Sequence, residues 1–153
     1  MPGRGGVSVA IRHRILSSWS VTVFAIAFGL NSIWELAQAS LYQPMGTAWE
    51  ATRRCLVASV GDGALVLTVL VLTRTVTGDT SATRRYVMSI VLALVMAVAV
   101  EWWGLSQGRW AYLPSMPRIP GTALGIVPLL QLALLTPATL WLAGPVNRKR
   151  PKP

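Results

Sequence analysis

The chain has 153 residues, of which 53% are hydrophobic and 12% are charged, and its formal net charge is +9. With a mean hydropathy of +0.53, this composition argues against a soluble globular domain and is typical of a polytopic membrane protein with one domain. The excess of basic residues indicates contact with anionic lipid head groups rather than nucleic acid, so membrane lipids are the expected partners.

Four stretches are long enough to cross a bilayer, which takes roughly 20 mainly apolar residues. The sequence therefore predicts an all-α fold, a four-transmembrane-helix bundle that forms one membrane domain over residues 1–153. The predicted helices cover residues 15–41, 52–72, 86–105 and 122–142, and the segments 1–12 and 145–153 are predicted to be flexible basic tails. The first helix also resembles a signal peptide ending at Ala37-Gln38-Ala39, but its apolar run exceeds the usual length of about 7–15 residues, and we expect it to be retained.

The lysines and arginines indicate the orientation of the helices, because short loops rich in these residues stay in the cytoplasm. If both termini are cytoplasmic, most of the 14 basic residues lie inside. We therefore expect a multi-pass protein of the bacterial inner membrane with both termini inside. The basic residues left outside are Arg53, Arg54, Arg109 and Arg118.

Three carboxylates, Glu35, Asp62 and Glu101, lie within the predicted helices. A charge near the membrane centre costs at least ~3 kcal/mol, so such residues usually face a bundle interior or a wet cavity. From a rise of about 1.5 Å per residue, we expect Glu35 and Glu101 near the outer ends of their helices and Asp62 about 15 Å below the outer start of the second helix. Gln131 of the fourth helix has a similar predicted depth. All four helices are thus expected to contribute polar groups to the outer half of the bundle.

The first helix carries a polar stripe, because Asn31, Glu35, Gln38 and Tyr42 are spaced by four, three and four residues and share one face. Asn and Gln in such a stripe commonly form hydrogen bonds between membrane helices. Glu35 needs a further explanation, since a Gln would serve a simple hydrogen-bonded seam.

In the second helix, Gly61 and Gly63 flank Asp62. Ser59 and Gly63 form a pair of small residues four positions apart, which lets a neighbouring helix approach closely. Alternatively, the two glycines loosen the helix and expose backbone carbonyls to a cavity, as in ion sites.

Aromatic residues are concentrated at the predicted outer face, where Trp102 and Trp103 end the third helix and Trp110 and Tyr112 follow. This concentration fits either an aromatic belt at the membrane interface or the wall of a small-molecule pocket. Arg109 is the expected cationic partner of Glu101 or of a lipid head group, because Arg binds carboxylate or phosphate through paired hydrogen bonds. The other members of the aromatic group are Trp34, Tyr42 and Trp49, and the alternative cationic partners are Arg53 and Arg54.

Prolines recur in the last third of the chain. Pro114, Pro117 and Pro120 stand at every third residue and predict an extended, polyproline-like strand on the membrane surface. In the predicted fourth helix, Pro128 and Pro137 free upstream backbone carbonyls, which is tolerated where neighbours or water satisfy those groups.

A resemblance rests on these motifs together. The chain resembles a group of short bacterial four-helix integral membrane proteins over residues 31–141, and that group has no assigned reaction, so the resemblance implies only that these polar positions occur together. A looser resemblance, based on helix number and intramembrane acids, is to the small membrane cyclases and isomerases of isoprenoid metabolism. The first resemblance is carried by Asn31-x-x-Trp34-Glu35-x-x-Gln38-x-x-Leu41-Tyr42, Glu101, Gly108-Arg109-Trp110-Ala111-Tyr112, Met116-Pro117, Pro120-Gly121, Gly125 and Pro128-x-x-Gln131.

Cys55 is the only cysteine and His13 the only histidine. Haem, zinc, iron–sulfur, thiol and Ser-His-Asp chemistry therefore lack their ligands or bases, so neither a cofactor nor a metal site is assigned. Carboxylates and carbonyls remain suitable ligands for a hard cation such as Mg²⁺ or Ca²⁺. Magnesium-dependent prenyl-diphosphate chemistry would be expected to show clustered aspartates, yet the sequence has only Asp62 and Asp79. Cys55 is expected to be a buried apolar filler.

Three functions are compatible with the sequence. The first is an isomerase, cyclase or hydratase acting on an isoprenoid or other hydrophobic small molecule, with Glu35, Asp62 and Glu101 as the catalytic acids and bases. The second is a non-catalytic accessory subunit, and the third is a proton or cation transporter, which the scarcity of polar groups in the inner halves disfavours. An oligomer or a partner subunit is compatible with each. The residues expected to bind the substrate are Asn31, Trp34, Gln38, Tyr42, Trp102, Arg109, Trp110, Tyr112 and Gln131.

Overall fold

Four helices make up most of the computed structural model, which describes residues 4–44, 46–78 and 81–148, with side chains for 18–44, 46–78 and 81–144. All four are long and apolar enough to cross a membrane, so the predicted number of spanning helices is confirmed. Their bounds are α1 Arg4–Gln38, α2 Ala48–Thr77, α3 Ala82–Ser106 and α4 Ile126–Arg148, and a single 3-10 turn, Ala39–Leu41, extends α1.

Several helix ends differ from the predicted ones, and at α2 a polar capping group sets the start of the helix. α1 begins at Arg4, within the segment predicted as a tail, and α4 continues to Arg148. At the start of α2, the Thr47 side chain accepts a hydrogen bond from the Glu50 backbone N–H while the Glu50 carboxylate accepts one from the Thr47 backbone N–H. This capping box satisfies two backbone donors at the helix start and places it at Ala48.

The helices are arranged in a square in chain order. The extensive contacts are between α1 and α2, α2 and α3, α3 and α4, and α4 and α1, so α1 and α3 occupy opposite corners. One buried apolar cluster joins Trp19 and Val23 of α1 to Leu70 of α2, and a second joins Ala93 of α3 to Leu132 of α4. Many large apolar side chains on the outside are exposed, as expected for helices whose outer faces contact lipid.

Small residues let α1 and α2 approach closely. Ser59 and Gly63 are buried, and a β-carbon at Gly63 would lie 3.2 Å from the Phe24 ring and 3.5 Å from the backbone nitrogen of Phe28. The pair therefore acts in helix packing, as one of the two interpretations of this motif predicted.

The two loops at one end of the bundle pair with each other. This end, here termed the pocket end, is where α1 and α3 end and α2 and α4 begin. The backbone N–H of Gln43 donates to the Ala111 carbonyl over 2.9 Å, and that of Leu113 donates to the Leu41 carbonyl over 2.9 Å. Tyr42 and Tyr112 thus form an antiparallel bridge between the loops.

The polyproline strand predicted for this region is wrong, because the prolines lie in or beside turns. Pro114 stands in a turn closed by the Met116 N–H and the Leu113 carbonyl, and Pro120-Gly121 stands in a turn closed by the Thr122 N–H and the Ile119 carbonyl. Gly121 has a φ of +76°, which this type of Pro-Gly turn requires and glycine adopts without strain.

α4 begins at Ile126, four residues later than predicted. Pro128 therefore lies in the first turn, where its missing N–H removes no helical hydrogen bond. The Leu124 carbonyl, four residues before Pro128, accepts instead from the Ile119 N–H over 3.0 Å. Pro128 thus starts the helix rather than kinking it.

Candidate functional site

A cavity of about 670 Å³ opens at the pocket end and is lined by all four helices and both loops. Its walls are mainly apolar, and its volume falls in the range of small-molecule sites, roughly 300–1,000 Å³. Glu35, Asp62 and Glu101 line it together with Gln131. The three predicted acids are therefore brought to one cavity from α1, α2 and α3.

Gln131 of α4 joins the acids of α1 and α2. Its Nε2 lies 2.9 Å from the Oδ1 of Asn31, 3.0 Å from the Oε1 of Glu35 and 3.0 Å from the Oδ2 of Asp62. An amide nitrogen carries two hydrogens, so the three acceptors share two donors. The carboxyl groups of Glu35 and Asp62 therefore meet at one shared amide donor between two helices.

Gln38 extends the network by one turn of α1. Its Nε2 donates to the Oε1 of Glu35 and to the Oε1 of Gln131, each over 2.8 Å. Its own carbonyl oxygen accepts from the Trp34 indole N–H over 3.2 Å. Asn31 is fully buried and donates from Nδ2 to the Ala27 carbonyl. Asn31, Trp34 and Gln38 therefore position the acids rather than line the cavity.

Glu101 is held separately, on the opposite corner of the square from Glu35. The side chain is only 5% exposed, and its Oε1 accepts a hydrogen bond from the Trp110 indole N–H over 3.0 Å. Trp110 reaches this position because it crosses α3 at Gly104, where a β-carbon would overlap the indole ring. This role of Gly104 was not predicted. The sequence signal for it is the position of the glycine about one helical turn after Glu101.

Arg109, predicted to pair with Glu101 or a head group, lines the cavity. Its guanidinium lies over the Trp103 ring at 5.1 Å from the ring centroid, a distance at which a cation is attracted to the ring face. The donor to Glu101 is the neighbouring Trp110.

The paired tyrosines close the pocket end. Tyr42 lines the cavity, and its ring lies 5.3 Å from that of Tyr112. Burial raises the pKa of the Tyr42 phenol, so Tyr42 stays protonated at physiological pH. Tyr112 is buried and packs against Gly125 outside the cavity lining.

The adjacent residues Trp102 and Trp103 have different surroundings. Trp103 lines the cavity, whereas Trp102, predicted to bind substrate, is 67% exposed on the outside of α3. Neighbouring residues on a helix point about 100° apart, so adjacent tryptophans can have different surroundings.

A stripe of small residues on α2 lines the cavity and was missed by the sequence analysis. Ala51, Cys55, Ala58 and Gly61 recur at intervals of three or four residues and present one face to the cavity. Their short side chains leave the space between the helices open. Cys55 is therefore part of this wall rather than a filler of the core, with its thiol 3.7 Å from the Glu35 carbonyl oxygen.

Among the residues that the structure describes, no group of three or more His, Cys, Asp or Glu side chains is arranged to hold a metal ion. Glu35 and Asp62 instead have Gln131 as a shared neutral donor. The arrangement is suited to holding and moving a proton beside an apolar ligand.

The chain matches no family model, no curated protein and no solved structure. The fold and the site define a helical, multi-pass membrane protein with a partly buried acidic site. The resemblance to short bacterial membrane proteins stays a prediction.

Proposed function

We propose that this protein is a small enzyme of the bacterial inner membrane, with both termini in the cytoplasm, that isomerises, cyclises or hydrates an isoprenoid or other lipid by acid/base catalysis. In this proposal the pocket end faces the periplasm, and the cavity receives its substrate from the outer leaflet. The observation that carries the proposal is the convergence of Glu35, Asp62 and Glu101 on one largely apolar cavity. A purely structural seam would be served by amides alone.

The two acids that share the Gln131 amide, Glu35 and Asp62, are the proposed proton donor. In this proposal one of the two carboxyl groups is protonated, its proton is transferred to one carbon of a substrate double bond, and the electron pair of that bond forms the new C–H bond. The adjacent carbon becomes a cation, which the indole rings of Trp103 and Trp110 lining the cavity stabilise.

Glu101 is the proposed proton acceptor. It takes a proton from a carbon next to the cation, and the electrons of that C–H bond form the double bond of the product. In the isomerase and cyclase forms of the reaction, the substrate keeps its composition. The proton then returns from Glu101 to the Glu35–Asp62 pair through water in the cavity, which restores the starting state.

The decisive variant is Glu35→Gln. The Gln carbonyl oxygen can accept the same hydrogen bonds from Gln38 and Gln131, so we expect a loss of stability below about 1 kcal/mol. Proton donation by the pair is expected to fall strongly, because an amide at position 35 carries no acidic proton and leaves Asp62 without the second carboxyl group. We expect cells without the gene to accumulate one lipid and lose another, as measured by untargeted lipid profiling. The wild-type gene should restore the profile, and the Glu35→Gln gene should not.

Glu50→Gln is the matched control. Glu50 is exposed at the start of α2, and Gln also completes a capping box, so this variant should restore the lipid profile fully. An unchanged profile in the deletion strain, together with the loss of a partner complex, would assign the protein to the accessory class instead. A Glu35→Gln protein that fails to fold would identify the acid as structural.

A further inference from the structure

Two arginines line the same cavity as the acids, and they come from different elements. Arg54 belongs to the second turn of α2, and Arg109 follows the end of α3. Both are exposed at the pocket end. Arg109 has its guanidinium over the Trp103 ring, and this contact with another cavity residue limits the conformations of its side chain.

The arginines and the acidic pair lie at different depths. Arg54 precedes Asp62 by eight residues on α2, which corresponds to about 12 Å along the helix axis. Cys55, Ala58 and Gly61 lie between them and face the cavity. A ligand can therefore extend from the arginines to the acids along a wall without bulky side chains.

We infer that the cavity takes an amphiphile with an anionic, phosphate-type head, which Arg54 and Arg109 bind while the apolar chain runs along α2 to the acidic pair. Guanidinium groups bind phosphate through paired, charge-assisted hydrogen bonds. The apolar walls suit the chain, and the deeper acids disfavour entry of the anionic end. This inference rests on the proposed function and names its substrate class.

A cationic ligand is the opposing alternative, since three acids line the cavity. Their oxygens, however, already accept hydrogen bonds from Gln38, Gln131 and Trp110. The network thus favours a neutral chain near the acids and an anion near the arginines.

The head group is tested by titrating the full-length protein in neutral detergent with dodecyl phosphate, dodecanol or dodecyltrimethylammonium and counting bound ligand by native mass spectrometry. We expect dodecyl phosphate to bind at least about tenfold more tightly than dodecanol, a difference of about 1.4 kcal/mol. Equal binding of the alcohol, or tighter binding of the ammonium compound, would overturn the inference. This comparison uses the wild-type chain and does not depend on the folding of any variant.

The two arginines are tested with a neighbouring control. Arg54→Gln and Arg109→Gln should each weaken the binding of dodecyl phosphate about tenfold and leave dodecanol binding unchanged. Arg53→Gln should have no effect, because Arg53 is exposed at the same end of the bundle and does not belong to the cavity lining. If Arg53→Gln and Arg54→Gln weakened dodecyl phosphate binding equally, the binding would depend on general surface charge, and the inference would be contradicted.

Competition distinguishes the two sources of such a head. Displacement of dodecyl phosphate by phosphatidic acid in the micelle would identify a membrane lipid as the ligand. Displacement by inorganic phosphate at similar concentrations would identify a free phosphate. Either result supports an anion site at the arginines.

Failure of this inference and failure of the proposed function give different results. If Glu35→Gln abolishes complementation while Arg54→Gln and Arg109→Gln retain it, the catalytic proposal stands and the head-group assignment fails. If dodecyl phosphate binds as expected but deletion changes no lipid, the binding site stands and the catalytic proposal fails.

Discussion

Gln131 shows how one neutral side chain can organise two acids from different helices. It is 2% exposed, and its amide nitrogen is shared among Asn31, Glu35 and Asp62. A basic residue at this position would form salt bridges and keep both acids ionised. The amide stabilises them without adding charge, so the pair can keep a proton.

Replacing Gln131 with Leu tests this role. The variant removes the amide donor to Asn31 and Asp62 and one of the two amide donors to Glu35, so we expect a loss of about 2 kcal/mol or more in the free energy of unfolding. Sodium dodecyl sulfate titration in mixed micelles, followed by circular dichroism, measures this change. The matched control is Gln107→Leu, in which an exposed glutamine at the end of α3 is replaced, and this control should change stability little. Similar losses in both variants would mean that the network does not depend on Gln131.

At the scale of elements, the end of α3 and the following loop form one unit. Trp110 folds back across Gly104 and donates to Glu101, while Tyr112, two residues further along the chain, pairs with the loop after α1. The backbone thus returns to α3 within a few residues of its end. This return brings an indole N–H to a buried acid.

Gly104→Ala is expected to displace Trp110 and break its hydrogen bond with Glu101. Alanine favours a helix over glycine by up to about 1 kcal/mol, yet we expect a net loss of stability because the indole has to move. Thermal unfolding in detergent, together with the tryptophan emission spectrum, measures both effects.

Gly29→Ala is the control for this substitution. Gly29 also lies inside a helix, and a β-carbon there meets nothing within 4 Å. The control should therefore be neutral or stabilising, with an unchanged emission spectrum. A Gly104→Ala protein that behaves like Gly29→Ala would contradict the proposed contact.

At the scale of the whole molecule, the described side chains fill the bundle core at one end and leave a cavity at the other. Away from the pocket end, large side chains such as Trp19 and Leu70 fill the core, and Arg74 covers the Trp19 ring at 3.5 Å. At the pocket end, small residues of α2 leave the cavity open. This asymmetry suits a site reached from one side of the membrane only.

Reporter fusions test the expected orientation. Alkaline phosphatase is active only outside the cytoplasm, so a fusion at residue 113, between α3 and α4, should be active, whereas fusions at residue 81 and at the C-terminus should be inactive. Green fluorescent protein at the C-terminus should fluoresce. The inverse pattern would place the cavity on the cytoplasmic side, and the head-group site with it.

The sequence alone determined the number of spanning helices, because a bilayer requires about 20 consecutive apolar residues and this signal is local. It also identified Glu35, Asp62 and Glu101 as candidates, because a charge inside such a helix is costly and therefore needs an explanation. Helix ends were less accurate, since the start of α2 depends on Thr47 and Glu50, whose capping role is set by backbone geometry rather than hydropathy.

Only the tertiary structure decided which polar groups meet. Gln38 and Gln131 are 93 residues apart, and no local sequence pattern indicates that their amides form a hydrogen bond. Trp103 rather than Trp102 faces the cavity because of the rotation of α3 about its axis, which packing against α2 and α4 sets. Local composition determines what can enter a membrane, whereas the packing of distant segments determines which side chains share a site, because their contacts depend on the relative position of whole helices.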